Sequence, residues 1–348
     1  MEKFIQIFFS RKEKNLTISI IFVYTLQRQM KTILYLLSFV LVFSTTVNAQ
    51  RIDRTALGEK VLKHVDSVGK MEGYLLRDIV SKLYRRDFNE VEITYAIYSW
   101  IAKNITYNTQ EYHHPRTANS TSSMALMRRS TTSQGYAILF KDMCANAHIE
   151  SVIVDGKAKP NPAAIDNARR LMKHYWNVVK IKGTEYYVDA AFGAGYFDSR
   201  VRNFEKEFTD AWCFADRRLF CLSHVPNDKK SPYVDVPINP TRYLQAPIVY
   251  GAALRDGIYF PEKTRGLLKG RQGDCKRMIF DLARPEEISR ASVIADGKEI
   301  TTDYYVVGNR MYVDVPFPKQ GSYPLIISLN GKQAFGFNVE AKPSKKRR

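Results

Sequence analysis

The pattern of apolar residues changes along this chain, and that change limits the folds open to it. From residue 54 to about 106, the stretches "LGEKVLKHV", "YLLRDIVSKLY" and "VEITYAIYSWIAKNI" place apolar residues at spacings of three and four, the signature of helices with one buried face. In the third, Ile93, Ile97, Trp100, Ile101 and Ile105 would share that face. A loop rich in Ser, Thr and Asn follows, then a further helix starting near Ser133. The apolar and aromatic runs "ESVIVDG", "HYWNVVKIKG" and "TEYYVDAAFG", broken by Gly156, Gly183 and Gly193, then read as strands of an antiparallel sheet. Helices first and sheet second make an α+β domain, placed at 54–235.

From about Ala246 the punctuation changes again. Turn signals recur at "ADGK", "VGNR", "KQGS" and "LNGK", with short runs such as "MYVDVPF", "YPLIISL" and "AFGFNV" between them. That spacing predicts a small immunoglobulin-like β-sandwich at 245–340, without the Cys and Trp marks of an antibody domain. Its expected role is interaction or support.

The first 49 residues read as a leader. "MKTILYLLSFVLVFSTTVNAQ", from Met30, combines a basic residue, an apolar run and small residues before Gln50, which predicts a secretory signal cleaved after Ala49. The upstream run "LTISIIFVYTL" falls short of the roughly 20 residues a bilayer span needs, so Met30 is the expected start and the residues before it an upstream extension, with a start at Met1 and an amino-terminal membrane anchor as the alternative. Export to the periplasm, the cell surface or the medium is the consequence. Without the leader the formal charge of +18 becomes about +14, which favours anionic partners. For an exported protein these are acidic envelope polymers or a membrane surface rather than nucleic acid, and the tail at 341–348, ending "KPSKKRR", is the densest basic cluster.

Cys144, Cys213, Cys221 and Cys275 leave three complete disulfide pairings open. No CxxC, HExxH or zinc-spaced Cys/His cluster is present, so neither a metal nor a cofactor is expected. His113 and His114, ahead of Pro115, read as loop residues.

Three fragments carry chemistry: "SQGYAILF" at a helix start, "HYWNVV" on a strand and "YYVDAAFGAGYF" on the next. Adjacent antiparallel strands can set His174 beside Asp189, and a preceding helix can aim Ser133 at that His. The product is a nucleophile, a base and an orienter. These fragments resemble the transglutaminase-like superfamily, and within it bacterial relatives of the kyphoscoliosis peptidase. Gln134, Gly135, Tyr136 and Ala137 match the family's Cys-x-Gly-Tyr-Ala motif; His174, Trp176 and Asn177 match His-x-Trp-Asn; Asp189, Gly193 and Gly195 match the third motif. "AIYSWIAKNITYN" and "FADRRLFCLSHVPND" resemble the family's flanking segments, with Asn108 where Asp is common. The resemblance implies a cysteine-protease-like fold, Ser133, His174 and Asp189 as a triad, and Gln134, Trp176 and Asn177 at the substrate.

The nucleophile position holds Ser133 where the motif has Cys. A thiol near pKa 8.5 can be held as a thiolate by an imidazolium and a helix amino-terminus, whereas a hydroxyl must lose its proton during attack. Cys144 lies about 16 Å further along the same helix and cannot substitute. One expectation is therefore an inactive relative whose cleft binds peptide or envelope polymer. The alternative is an amide hydrolase or acyltransferase using the serine, and a third reading makes His174 and Asp189 satisfied core groups.

Overall fold

The structure, a computed structural model, describes residues 52, 57–115, 120–198, 200–228, 231–232, 240–285 and 288–344. The expected leader and its cleavage point lie outside the described residues, as do the last four residues of the basic tail.

Helix α1 (Glu90–Asn104) starts where its sequence says it should. The Asn89 side chain accepts from the Glu92 amide at 3.1 Å, and the Glu92 carboxylate accepts from the Asn89 amide at 2.8 Å. This reciprocal cap satisfies two amides that the helix cannot. Ile93, Ile97, Trp100, Ile101 and Ile105 are all buried, as expected, but so is every other residue from Thr94 to Ala102. The helix is enclosed on several sides, by α2 (Ser133–Asn146) and by the helical segments at Gly58–Leu62, Lys63–Val68 and Leu76–Leu83. Trp100 Nε1 donates to the Gly69 carbonyl at 2.8 Å, which fixes its indole inside that layer.

Two stretches expected to be loops contain short helices. Thr121 caps Ser122–Arg128 by accepting from the Met124 amide at 3.2 Å, and Asn108 caps Thr109–His113 by accepting from the Glu111 amide at 2.9 Å. Ser, Thr and Asn here act as helix starters rather than as loop filler. Asn108 does what an Asp would do at that position.

The sheet of this first half is built from β1 (Glu150–Ala158), β2 (Met172–Ile181), β3 (Thr184–Val188), β4 (Cys213–Ala215) and β5 (His224–Pro226), in the order β4-β3-β2-β1-β5. Every pairing is antiparallel, and α2 packs on β1 and β2. Three short helices are threaded through it or follow it: α3 (Ala190–Gly193), α4 (Arg217–Ser223) and α5 (Pro240–Gln245). Gly156 lies opposite His174 in the β1–β2 register. A Cβ there would sit 2.3 Å from the Val225 carbonyl oxygen and 2.5 Å from the Trp176 ring, so only glycine lets the indole cross the strand.

The second half is strand-rich. One sheet is ordered β6 (Ile248–Val249), β15 (Lys332–Lys342), β14 (Gly321–Leu329), β10 (Ala291–Ala295), β11 (Lys298–Thr301), with β8 (Leu267–Arg271) also paired, in parallel, to β15. The other is ordered β7 (Ile258–Tyr259), β9 (Cys275–Leu282), β13 (Arg310–Pro316), β12 (Tyr304–Val307). Phe280 of β9 stacks on Phe335 of β15 with ring centroids 5.0 Å apart, which marks the core between the sheets. At "ADGK" the turn between β10 and β11 puts Asp296 and Gly297 at φ 52° and 79°, the left-handed conformations that a two-residue hairpin demands.

Residues 53–348 form one compact unit. At the junction of its halves, Lys159 follows β1 and is 1 % exposed. Its ammonium donates to the carbonyls of Tyr243, Ala246 and Pro247 at 2.9, 3.0 and 3.4 Å, around the carboxy-terminal end of α5. Burial, with a smaller push from the Arg242 charge, brings the Lys159 pKa down to about 7.

Candidate active site

The nucleophile position is made by a helix start. Thr132 has extended backbone and offers no side-chain cap, so the first amides of α2 are left for another acceptor at the positive end of the helix dipole. Ser133 is the first residue of that helix and is 2 % exposed. Gly135 one half-turn later is obligatory, because a Cβ would lie 1.8 Å from Thr131 Oγ1.

Asp189 lies one residue past β3 and uses both carboxylate oxygens fully. Oδ1 accepts from the amides of Ala191 and Phe192, both at 3.0 Å, capping α3. Oδ2 accepts from His174 Nε2 at 2.7 Å and from His224 Nε2 at 3.0 Å. All three side chains are at most 1 % exposed. Burial alone would raise the Asp189 pKa, but His174 and His224, through charge and hydrogen bonds, hold it well below the usual carboxylate range.

This fixes the tautomers. An ionised carboxylate only accepts, so both Nε2 atoms facing it carry hydrogen. A neutral His174 then presents Nδ1 as a bare acceptor, and that buried atom has no hydrogen-bond partner among the described residues. It is the atom a general base needs free. Among the described residues Ser133 makes no hydrogen bond to it.

Ser133 lies near Tyr107. The Tyr107 hydroxyl is buried and its pKa is pushed up by desolvation, while the side chain and amide of Ser133 pull the other way. The two groups feel each other, but the hydroxyl has no partner at ordinary hydrogen-bond geometry among the described residues. The Asp189 charge also reaches the Tyr107 ring, so the helix start and the His–Asp pair converge on one buried volume. Aromatic rings seal it. Phe192 lies 4.5 Å from the His174 ring, Phe220 stacks on His224 at 4.0 Å, and Trp176 and Trp212 meet His224 edge-on at 5.2 and 5.4 Å.

The residues implied at the substrate fare differently. Gln134 is exposed at the helix start. Trp176 is 1 % exposed and belongs to the wall behind His224. Asn177, 1 % exposed, donates to the Ala137 carbonyl at 3.1 Å and so ties α2 to β2. Cys144 sits deep in α2, where burial drives its thiol pKa up, away from reactivity. His113, in its short helix, contacts the Val201 carbonyl at 3.1 Å.

Sequence reasoning missed His224 and Tyr107. "LSHVPND" was noticed only as a flanking segment, and one His before a short strand carries no spacing signal of its own.

His174, Asp189 and His224 also have the donor atoms of a metal site, within 4.8 Å of one another. Their contacts, 2.7 and 3.0 Å, have the lengths of two hydrogen bonds to one shared carboxylate oxygen.

Two clefts open among the described residues. One of about 290 Å³ is lined by Asn108, Gln110, Glu111, His114 and Arg128, next in sequence to Tyr107 and to the strand leading into Ser133. The other, about 480 Å³, runs between the sheet and the sandwich and has Phe192 and Trp212 in its wall.

Part of the chain is similar to known proteins. Residues 77–190 match the family model of the Transglutaminase-like superfamily. The chain is 26% identical over 155 residues to mouse kyphoscoliosis peptidase, covering 44% of this chain and 23% of that protein. It is 22% identical over 239 residues to Hillarin of Drosophila melanogaster, covering 65% and 28%. The chain thus spans about a quarter of the length of these curated relatives. Among solved structures, a TGase overlaps locally at 13% identity and TM-score 0.22, over 45% of this chain and 37% of that one.

Proposed function

We propose that the transglutaminase-like domain of this chain is a catalytically silent member of its superfamily, with Ser133 standing where active relatives carry cysteine. The observation that carries the reading is the empty acceptor. His174 Nδ1 is buried and, among the described residues, unpartnered, although a serine nucleophile depends on donating its proton to that atom at about 2.6–3.2 Å. The uncapped start of α2 and the oriented imidazole would suit a thiolate, which both would stabilise. What the domain retains is binding. The polar cleft at Asn108–His114 and Arg128 offers amide, carboxylate, imidazole and guanidinium groups to a peptide or envelope polymer. With about +14 of formal charge left after loss of the expected leader, an acidic polymer outside the cytoplasm, or a membrane surface met by the basic tail, is the favoured partner.

A serine-dependent amide hydrolase or acyltransferase is the second reading. It is favoured by the intact His174–Asp189 bond and the correct His174 tautomer.

The Ser133→Cys variant separates them. Its thiol should be alkylated by iodoacetamide near neutral pH faster than a free thiol, in a manner abolished by His174→Ala, while the wild type stays inert to thiol- and serine-directed probes. Labelling of wild-type Ser133 by a fluorophosphonate, lost in His174→Ala, would establish the serine enzyme. A Cys variant no more reactive than a free thiol would show that the site has lost its polarity as well.

A further inference from the structure

Asp189 is asked to serve two histidines through one oxygen. Oδ1 is spent on the amides of Ala191 and Phe192, so both lone pairs of Oδ2 are shared between His174 at 2.7 Å and His224 at 3.0 Å. His224 is 1 % exposed. Its ring is clamped face-on by Phe220 and edge-on by Trp176 and Trp212, and Phe192 is 5.1 Å away. The box would accept a phenyl ring of the same outline, so apolar packing does not require a histidine here. What a phenyl ring would lack is the N–H aimed at Asp189.

We propose that His224 is a positioning residue for the His174–Asp189 pair, sharing the carboxylate oxygen so that Asp189 stays ionised and oriented while its hold on a protonated His174 is weakened. This rests on the reading of Ser133, His174 and Asp189 as a catalytic constellation with its nucleophile exchanged. The sign follows from the geometry. A second donor on Oδ2 drains the negative charge that would otherwise stabilise an imidazolium at His174. Removing that donor leaves Oδ1 still fixed by two amides, so Asp189 keeps its orientation and gives its full charge to His174. His224 Nδ1 lies 3.3 Å from the Phe220 carbonyl. Burial lowers the His224 pKa, so the ring acts here as a neutral N–H donor rather than as a second cation.

Two measurements test this, and only one needs a reactive thiol. In the wild-type chain, ring nitrogen NMR should show hydrogen on Nε2 of both His174 and His224, with a bare Nδ1 on His174. A His224 ring without hydrogen on Nε2 would overturn the proposal, with no variant needed. In the Ser133→Cys background, His224→Phe should lower the pH midpoint of iodoacetamide alkylation by about one unit, because the thiolate–imidazolium pair forms more readily. His224→Gln, which restores an N–H donor, should bring the midpoint back toward the parent. A role confined to packing would move the unfolding midpoint and leave the alkylation profile where it was, and that result would also sink the proposal. If the Cys variant is no more reactive than a free thiol, the functional reading fails, while the ring signals of the serine chain still decide the role of His224.

Discussion

The two halves of this molecule bury different things. The half that pairs helices with the five-stranded sheet encloses His174, Asp189, His224, Lys159, Asn161, Asn177 and Ser133, each at most 6 % exposed, whereas the buried polar residues described in the sandwich half are Ser292 and Ser328. The sandwich keeps its charges at the surface in pairs such as Arg277–Asp314, Arg290–Glu299 and Arg310–Asp281. Around Phe280, Phe335, Val293 and Leu325 its core is apolar. A buried charge costs several kcal/mol unless it is paired and hydrogen-bonded. Such groups accumulate in one half, where carboxylate and carbonyl oxygens are placed to receive them. The sandwich shows what the same chain does when packing alone is required.

Substitutions can break this contrast, and the largest effect should come at Asp189. Asp189→Ala leaves two buried imidazoles without their acceptor and α3 without its cap, and should cost about 3–5 kcal/mol in chemical denaturation. A loss under about 1 kcal/mol would mean that the polar cluster is incidental to the fold.

Next in size is the pH dependence set by Lys159. Its folded pKa is lowered from 10.5 to about 7. Between those values the unfolded chain holds a proton that the folded chain does not, so unfolding free energy should rise with pH. The rise attributable to this lysine is up to about 4 kcal/mol between pH 7 and pH 10. Lys159→Met should remove that slope, and equal slopes in the two proteins would show that the junction does not titrate.

Gly156→Ala tests the packing beneath the site. The added methyl meets the Trp176 ring and the Val225 carbonyl, and should cost about 1–3 kcal/mol and perturb the fluorescence of the tryptophans around His224. At the small end, Asp314→Ala removes a bidentate partner of Arg277 on the open face of the sandwich and should leave the denaturation midpoint unchanged. A shift comparable to that of Asp189→Ala would erase the distinction between the halves.

Much of the frame was legible because it rests on local rules. The spacing of Ile93, Ile97, Trp100 and Ile101 gives α1, "ADGK" and "LNGK" give hairpins, and motif order brings His174 to Asp189. The limits were equally physical. Helical spacing shows one buried face, but not that a second layer covers the rest of α1. Thr121 and Asn108 look like loop residues until the amides they cap are in place. Lys159 sits in "KAKPNPAA", where nothing local distinguishes a buried ammonium from a solvated one, because the carbonyls that hold it come from residues 243–247. His224 was hidden for the same reason, since its acceptor is 35 residues away.

The pairing of β15 has a mechanical consequence. This last strand is flanked by β14 on one edge and by both β6 and the parallel β8 on the other. A pull on the chain beyond Lys342 runs along β15, so the cross-strand hydrogen bonds, which lie across the strands, are loaded in shear and must yield together rather than peel one by one. Because β6 follows directly on the segment whose carbonyls hold Lys159, part of that load passes to the junction without first unravelling the sandwich. Tension applied at the carboxy-terminal end would therefore be felt at the domain that holds the His–Asp site.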